Sequence, residues 1–83
     1  MGREKYMTNE IIKHFIKLGY KYHKDPLGHY FDKGDTRLSV MMSGPVWNCY
    51  CNKWINGQFQ LKDKQINLLN DDFVFRWLLL HVN

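Results

Sequence analysis

The stretch VWNCYCNKWINGQFQL, residues 46–61, decides the fold. Asn56-Gly57 near its end is the strongest short hairpin signal in the chain. A two-residue type I′ turn needs φ > 0 at both central positions, which Asn and Gly tolerate best. Residues 46–55 ahead of the turn are aromatic-rich and read as the longest strand; residues 59–61 read as its return.

Working outward, Ser43-Gly44-Pro45 breaks the chain and residues 36–42 read as another strand. Lys33-Gly34-Asp35 closes a tight hairpin back to residues 29–32. Asp25-Pro26-Leu27-Gly28 is a further turn, with Pro supplying a fixed φ at its second position, and it leads back to the short alternating segment 20–23. Strands joined by successive hairpins form an antiparallel meander.

A helix is expected on either side. Thr8 or Asn9 caps the first, Ile11, Ile12, Phe15, Ile16 and Leu18 recur at helical spacing, and Gly19 stops it. Asn70 caps the second, with Asp71 and Asp72 at its positive end. Residues 63–69 read either as a short helix or as an irregular crossing. The expected fold is therefore α+β and two-layered: a four- to five-stranded antiparallel meander with the N- and C-terminal helices packed on one face. Residues 1–7 read as a flexible basic leader and residues 8–83 as a single domain.

Alternation sorts the side chains. Trp47, Cys49 and Cys51 share one face with Leu38, Val40 and Met42, uniformly apolar and suited to lie under the helices. Arg37, Ser39 and Met41 share the other with Val46, Asn48, Tyr50, Asn52 and Trp54, and Lys21, His23, Gln58 and Gln60 are expected beside them. That face would be open, basic, aromatic and rich in amides. On the last helix Phe75 and Leu79 fall away from the apolar stripes, and a helix that is apolar nearly all round needs a cover. Self-association there, as a homodimer, or contact with a partner is the expectation.

The chain has 83 residues, 45% hydrophobic and 16% aromatic, enough for one core. Twelve Lys and Arg against eight Asp and Glu give a formal charge of +4, a moderate bias toward acidic partners. Lys13, Lys17 and Lys21 form the clearest basic stripe. The longest unbroken apolar run, residues 77–80, is too short to span a bilayer, and no membrane partner is expected. The start is charged and the apolar run 11–18 is interrupted by Lys13, His14 and Lys17, so no secretory signal is expected. Cys49 and Cys51 are accordingly expected as reduced thiols in a cytoplasmic protein.

Motifs of catalysis are scarce. There is no G-x-S-x-G elbow and no glycine cluster to cradle phosphate. A single C-x-C pair lacks the second ligand pair of a structural zinc site, so neither metal nor cofactor is expected. His29, in Gly28-His29-Tyr30-Phe31 after an N-terminal helix and before Arg37-Leu38-Ser39-Val40, resembles the opening of small HicA-type toxin domains. The resemblance covers roughly residues 8–44 and implies a double-stranded-RNA-binding-like α-β-β-β-α fold with a histidine in that strand. Histidine titrates near neutrality, so the residue type itself leaves a minor alternative, metal-free ribonuclease activity at His29. The second hairpin at Asn56-Gly57 departs from that pattern, and no catalytic role is carried over.

The expected function is non-enzymatic: a small inhibitor that docks on and occludes a macromolecular partner, a protein or a nucleic-acid-handling complex. In size and lack of motifs the chain is similar to small inhibitors carried by phages and mobile elements, the anti-CRISPR class among them. Arg37, Met41, Tyr50 and Trp54 are the expected anchors. The alternative is an RNA- or DNA-binding module that uses the same face.

Overall fold

The computed structural model describes residues 9–82. The order is α1 (Asn9–Lys17), β1 (Lys21–Asp25), β2 (Gly28–Lys33), β3 (Thr36–Ser43), β4 (Val46–Ile55), β5 (Gln58–Leu68) and α2 (Asp71–Leu79). The strands form one five-stranded sheet in the order β1-β2-β3-β4-β5, every neighbour antiparallel. This is the α+β meander that the turn residues dictate. It has five strands, where the toxin resemblance implied three. The leader expected over residues 1–7 lies outside the described residues.

Local chemistry sets the ends of the elements. After α1, Gly19 N–H bonds Ile16 O at 3.0 Å and Tyr20 N–H bonds Phe15 O at 3.0 Å. These two bonds close a Schellman motif, and Gly19 accommodates its left-handed φ of 98°. The same turn stacks the Tyr20 ring edgewise on Phe15, centroids 5.4 Å apart, so the cap also seeds the core. Asn56 and Gly57 take φ of 52° and 78°, which makes the β4–β5 turn of the mirror-image type. Asn70 caps α2 by accepting the Phe73 N–H at 3.1 Å.

The core lies between the helices and one face of the sheet. Ile11 and Phe15 of α1 and Val74, Trp77 and Leu78 of α2 are buried with Phe31, Leu38, Val40, Trp47, Cys49 and Cys51 of the strands. Cross-strand register aligns Phe31 with Leu38 and Leu38 with Cys51, and all three side chains are fully buried. The two helices also meet each other: Phe75 packs edgewise on His14 at 5.2 Å and on Phe15 at 6.2 Å.

Three expectations are corrected. Residues 63–68 are neither helix nor irregular crossing; they continue β5 to Leu68. Register slips opposite Cys51–Asn52 and Trp47–Cys49 place bulges in this strand, which hides the period-two signature. At the second slip Asn67 adopts φ 64°, and its N–H is taken by Asn48 Oδ1 at 3.0 Å. Phe75 is not on an outward side of α2, because α1 covers it; Leu79 does stay exposed, at 41%. Met42 has the core-facing parity but is 50% exposed, since it sits beyond the helical roof. Among the described residues, no helix is long and apolar enough to cross a membrane.

Candidate docking face

The second face of the sheet carries a continuous chain of ring and cation contacts, built strand by strand. Two-residue arithmetic at the Asn56-Gly57 turn pairs Ile55 with Gln58 and Trp54 with Phe59. Trp54 and Phe59 therefore stand side by side on the open face, ring centroids 5.0 Å apart. On β1 and β2, His23 pairs with Tyr30 and their rings stack at 5.0 Å. Arg37 links the two ends: its guanidinium carbon lies 5.3 Å from the Tyr30 ring centre and 5.8 Å from that of Phe59. His23, Tyr30, Arg37, Phe59 and Trp54 thus form one row across the sheet.

The charges on this face are mostly engaged within the chain. Arg37 is directly opposite Asp32 and donates Nε–H to Oδ1 at 2.7 Å and Nη2–H to Oδ2 at 2.9 Å. That fork, joined by desolvation in the opposite sense and by the pull of His23, holds the Asp32 carboxyl below its ordinary range. The same hydrogen bonds raise the Arg37 pKa. Asp25 Oδ1 accepts from Leu27 N–H at 2.9 Å, Gly28 N–H at 3.1 Å and the Tyr30 hydroxyl at 3.1 Å. Desolvation opposes ionisation of Asp25, but those hydrogen bonds prevail and its pKa falls. Lys21, opposite Asp32 in register, and Lys64, opposite Tyr50, form no ion pair among the described residues. In the run Lys62-Asp63-Lys64 the acid turns to the helical side, where Asp63 Oδ2 lies 3.0 Å from His81 Nε2. Among the described residues, the Asp32 charge is paired with Arg37, Asp25 is held by neutral donors, and Lys21 and Lys64 are left without an ion pair.

The expected anchors all fall here. Arg37 and Tyr50 are half-buried at the centre, and Trp54 is 55% exposed at one end. Met41 lies over Gly28: a Cβ built at Gly28 would come 2.9 Å from the Met41 sulfur and 2.4 Å from the Val40 carbonyl oxygen. Glycine at this position therefore lets β3 approach β2 closely. Gln60 is not on this face, being opposite Lys53, and Gln58 follows the same parity; Phe59 and Leu61 take their place. Leu61 and Ile66, with Trp54 and Phe59, make the β4–β5 half of the sheet an exposed apolar surface. The basic stripe is divided: Lys13 and Lys17 are exposed on α1, whereas Lys21 belongs to β1.

His29 lies on the helix-side face, with Nδ1 2.7 Å from the Tyr22 hydroxyl. Cys49 and Cys51 are buried free thiols, and burial pushes the Cys49 pKa up to about 12. A thiol so placed is a poor nucleophile and a poor metal ligand. Among the described residues, no group of three or more His, Cys, Asp or Glu side chains is arranged to hold a metal ion.

No protein-family model, no curated protein and no solved structure matches this chain.

Proposed function

We propose that this chain is a non-enzymatic docking protein that occludes a macromolecular partner with the open face of its sheet. The observation that carries the reading is the Trp54–Phe59–Arg37–Tyr30–His23 row, with its one guanidinium already bound by Asp32. Rigid aromatics and an immobilised arginine make a preorganised surface that loses little side-chain entropy on contact. Its partner is a protein surface that combines apolar side chains with acidic ones, to meet Leu61 and Ile66 together with Lys21 and Lys64. Occlusion is the mode of action open to a small inhibitor of the phage or mobile-element type that lacks catalytic motifs, and free Cys49 and Cys51 are compatible with a cytoplasmic setting.

The rival reading, single-stranded nucleic acid on the same rings, has the aromatic platform in its favour. It is the weaker reading because Asp32 engages Arg37, which leaves few cations for phosphates. Affinity capture from a host lysate, with and without nuclease, tests the choice. Retention that survives nuclease and depends on Trp54 supports protein docking; retention abolished by nuclease refutes it.

A further inference from the structure

The helices leave one end of their own layer uncovered. Beside the β1–β2 turn, Lys24, Leu27, His29, Met42 and Trp47 surround an open groove of about 460 Å³. That lies within the range of about 300–1,000 Å³ typical of small-ligand sites. Trp47 is buried at its base, while Met42 and Leu27 are exposed at its rim. The His29 and Trp47 rings are 5.9 Å apart. This face is opposite to the docking row.

The polar groups of the groove are few and specific. Burial, followed by the charge on Lys24, lowers the His29 pKa. The Tyr22 hydroxyl lies 2.7 Å from Nδ1 and the two rings stack at 5.9 Å, which fixes the imidazole. Nε2 has no hydrogen-bond partner among the described residues, which leaves that edge of the ring to a ligand. Lys24 forms no ion pair among the described residues. Asp25 also borders the groove, but its Oδ1 is held by Leu27, Gly28 and Tyr30, and Tyr30 belongs to the opposite face. What remains for a ligand is an apolar body site, the Lys24 ammonium and the Nε2 edge of His29.

We propose that this groove binds a small aromatic or aliphatic carboxylate, with its apolar body against Trp47, Met42 and Leu27 and its carboxylate met by Lys24 and His29. The complementarity is of charge and of shape: Lys24 forms no ion pair among the described residues, and the Asp25 carboxylate beside it is bonded to the Tyr30 hydroxyl of the opposite face. This site is independent of the docking face, so a ligand here leaves the row from His23 to Trp54 free.

The test is a heteronuclear NMR titration of isotope-labelled protein with naphthoate, and with naphthylmethylammonium as its cationic counterpart. Naphthoate is expected to give saturable shifts at the Trp47 indole N–H and the His29 ring, and the ammonium compound to bind at least about tenfold more weakly. Lys24 and Leu27 are exposed, so Lys24→Gln and Leu27→Asp retain the fold. Lys24→Gln is expected to weaken naphthoate about tenfold, the scale of one charge-assisted hydrogen bond, and Leu27→Asp to weaken it further. Absence of saturable shifts overturns the proposal. So does equal binding of the ammonium compound, an unchanged Kd in Lys24→Gln, or shifts that map to Trp54 and Phe59.

Discussion

Asp32 and Arg37 stand directly opposite each other on β2 and β3, joined by two hydrogen bonds of 2.7 and 2.9 Å. The pair fixes the guanidinium between the Tyr30 and Phe59 rings and at the same time cancels its charge. The docking face is therefore organised by a cation whose charge is already paired within the chain.

The pair should register in the pH dependence of stability. The folded pKa of Asp32 is depressed, chiefly by the Arg37 hydrogen bonds. Its contribution is therefore complete above the unfolded carboxyl value of 3.8 and is lost as pH falls through the lower folded value. Asp32 is about one-third exposed, so the contribution is about 0.5–1 kcal/mol after solvent screening. Thermal melts of wild type and Asp32→Asn should differ near neutrality and converge as the pH falls below the folded carboxyl value.

Freeing Arg37 should change how the protein meets nucleic acid. With Lys21 and Lys64 as the cations on the face that form no ion pair among the described residues, wild-type binding to a short single-stranded oligonucleotide should have a shallow log–log salt slope, about −1.4 if both are used. Asp32→Ala adds one available cation, and the slope should steepen by about 0.7. Fluorescence anisotropy across a salt series measures both slopes.

The three tryptophans separate surface from core in two of their members. Trp54 is 55% exposed and Trp77 is 7% exposed beneath the helices. Trp54→Ala should cost below about 1 kcal/mol, whereas Trp77→Ala should cost about 3–5 kcal/mol and leave much of the population unfolded. Urea midpoints supply the comparison.

The thiols should be inert until the sheet opens. Cys49 and Cys51 both point under the helices, and burial raises both pKa values, that of Cys49 to about 12. Alkylation at neutral pH should be negligible in the native protein and should proceed at both positions in denaturant. Mass spectrometry of the native protein after iodoacetamide treatment reads this directly.

Much of this architecture is legible from turn chemistry. Asn56-Gly57, Lys33-Gly34-Asp35 and Asp25-Pro26-Leu27-Gly28 each turn the chain where a hairpin closes, and Gly19 and Asn70 mark helix ends. The placement of Arg37, Met41, Tyr50 and Trp54 on one face follows from alternation, because β3 and β4 pair without a slip from Thr36 to Ser43. Alternation fails on β5, where bulges shift the parity and an exposed edge strand needs no regular apolar period. Tyr30 and Phe59 were the missed members of the row. For Phe59 the signal was present: a two-residue turn places it opposite Trp54. Burial of Phe75 depends on the meeting of α1 and α2 across the layer, which no local pattern encodes.

The central claim is that the open face grips a protein through the row that ends at Trp54. The most direct measurement is parallel capture from nuclease-treated host lysate on wild type and Trp54→Ala, each shown by thermal melt to be folded. The account predicts a protein retained by wild type after nuclease and lost from Trp54→Ala at an unchanged melting temperature. Equal retention by both, or retention that disappears from wild type on nuclease treatment, would contradict it.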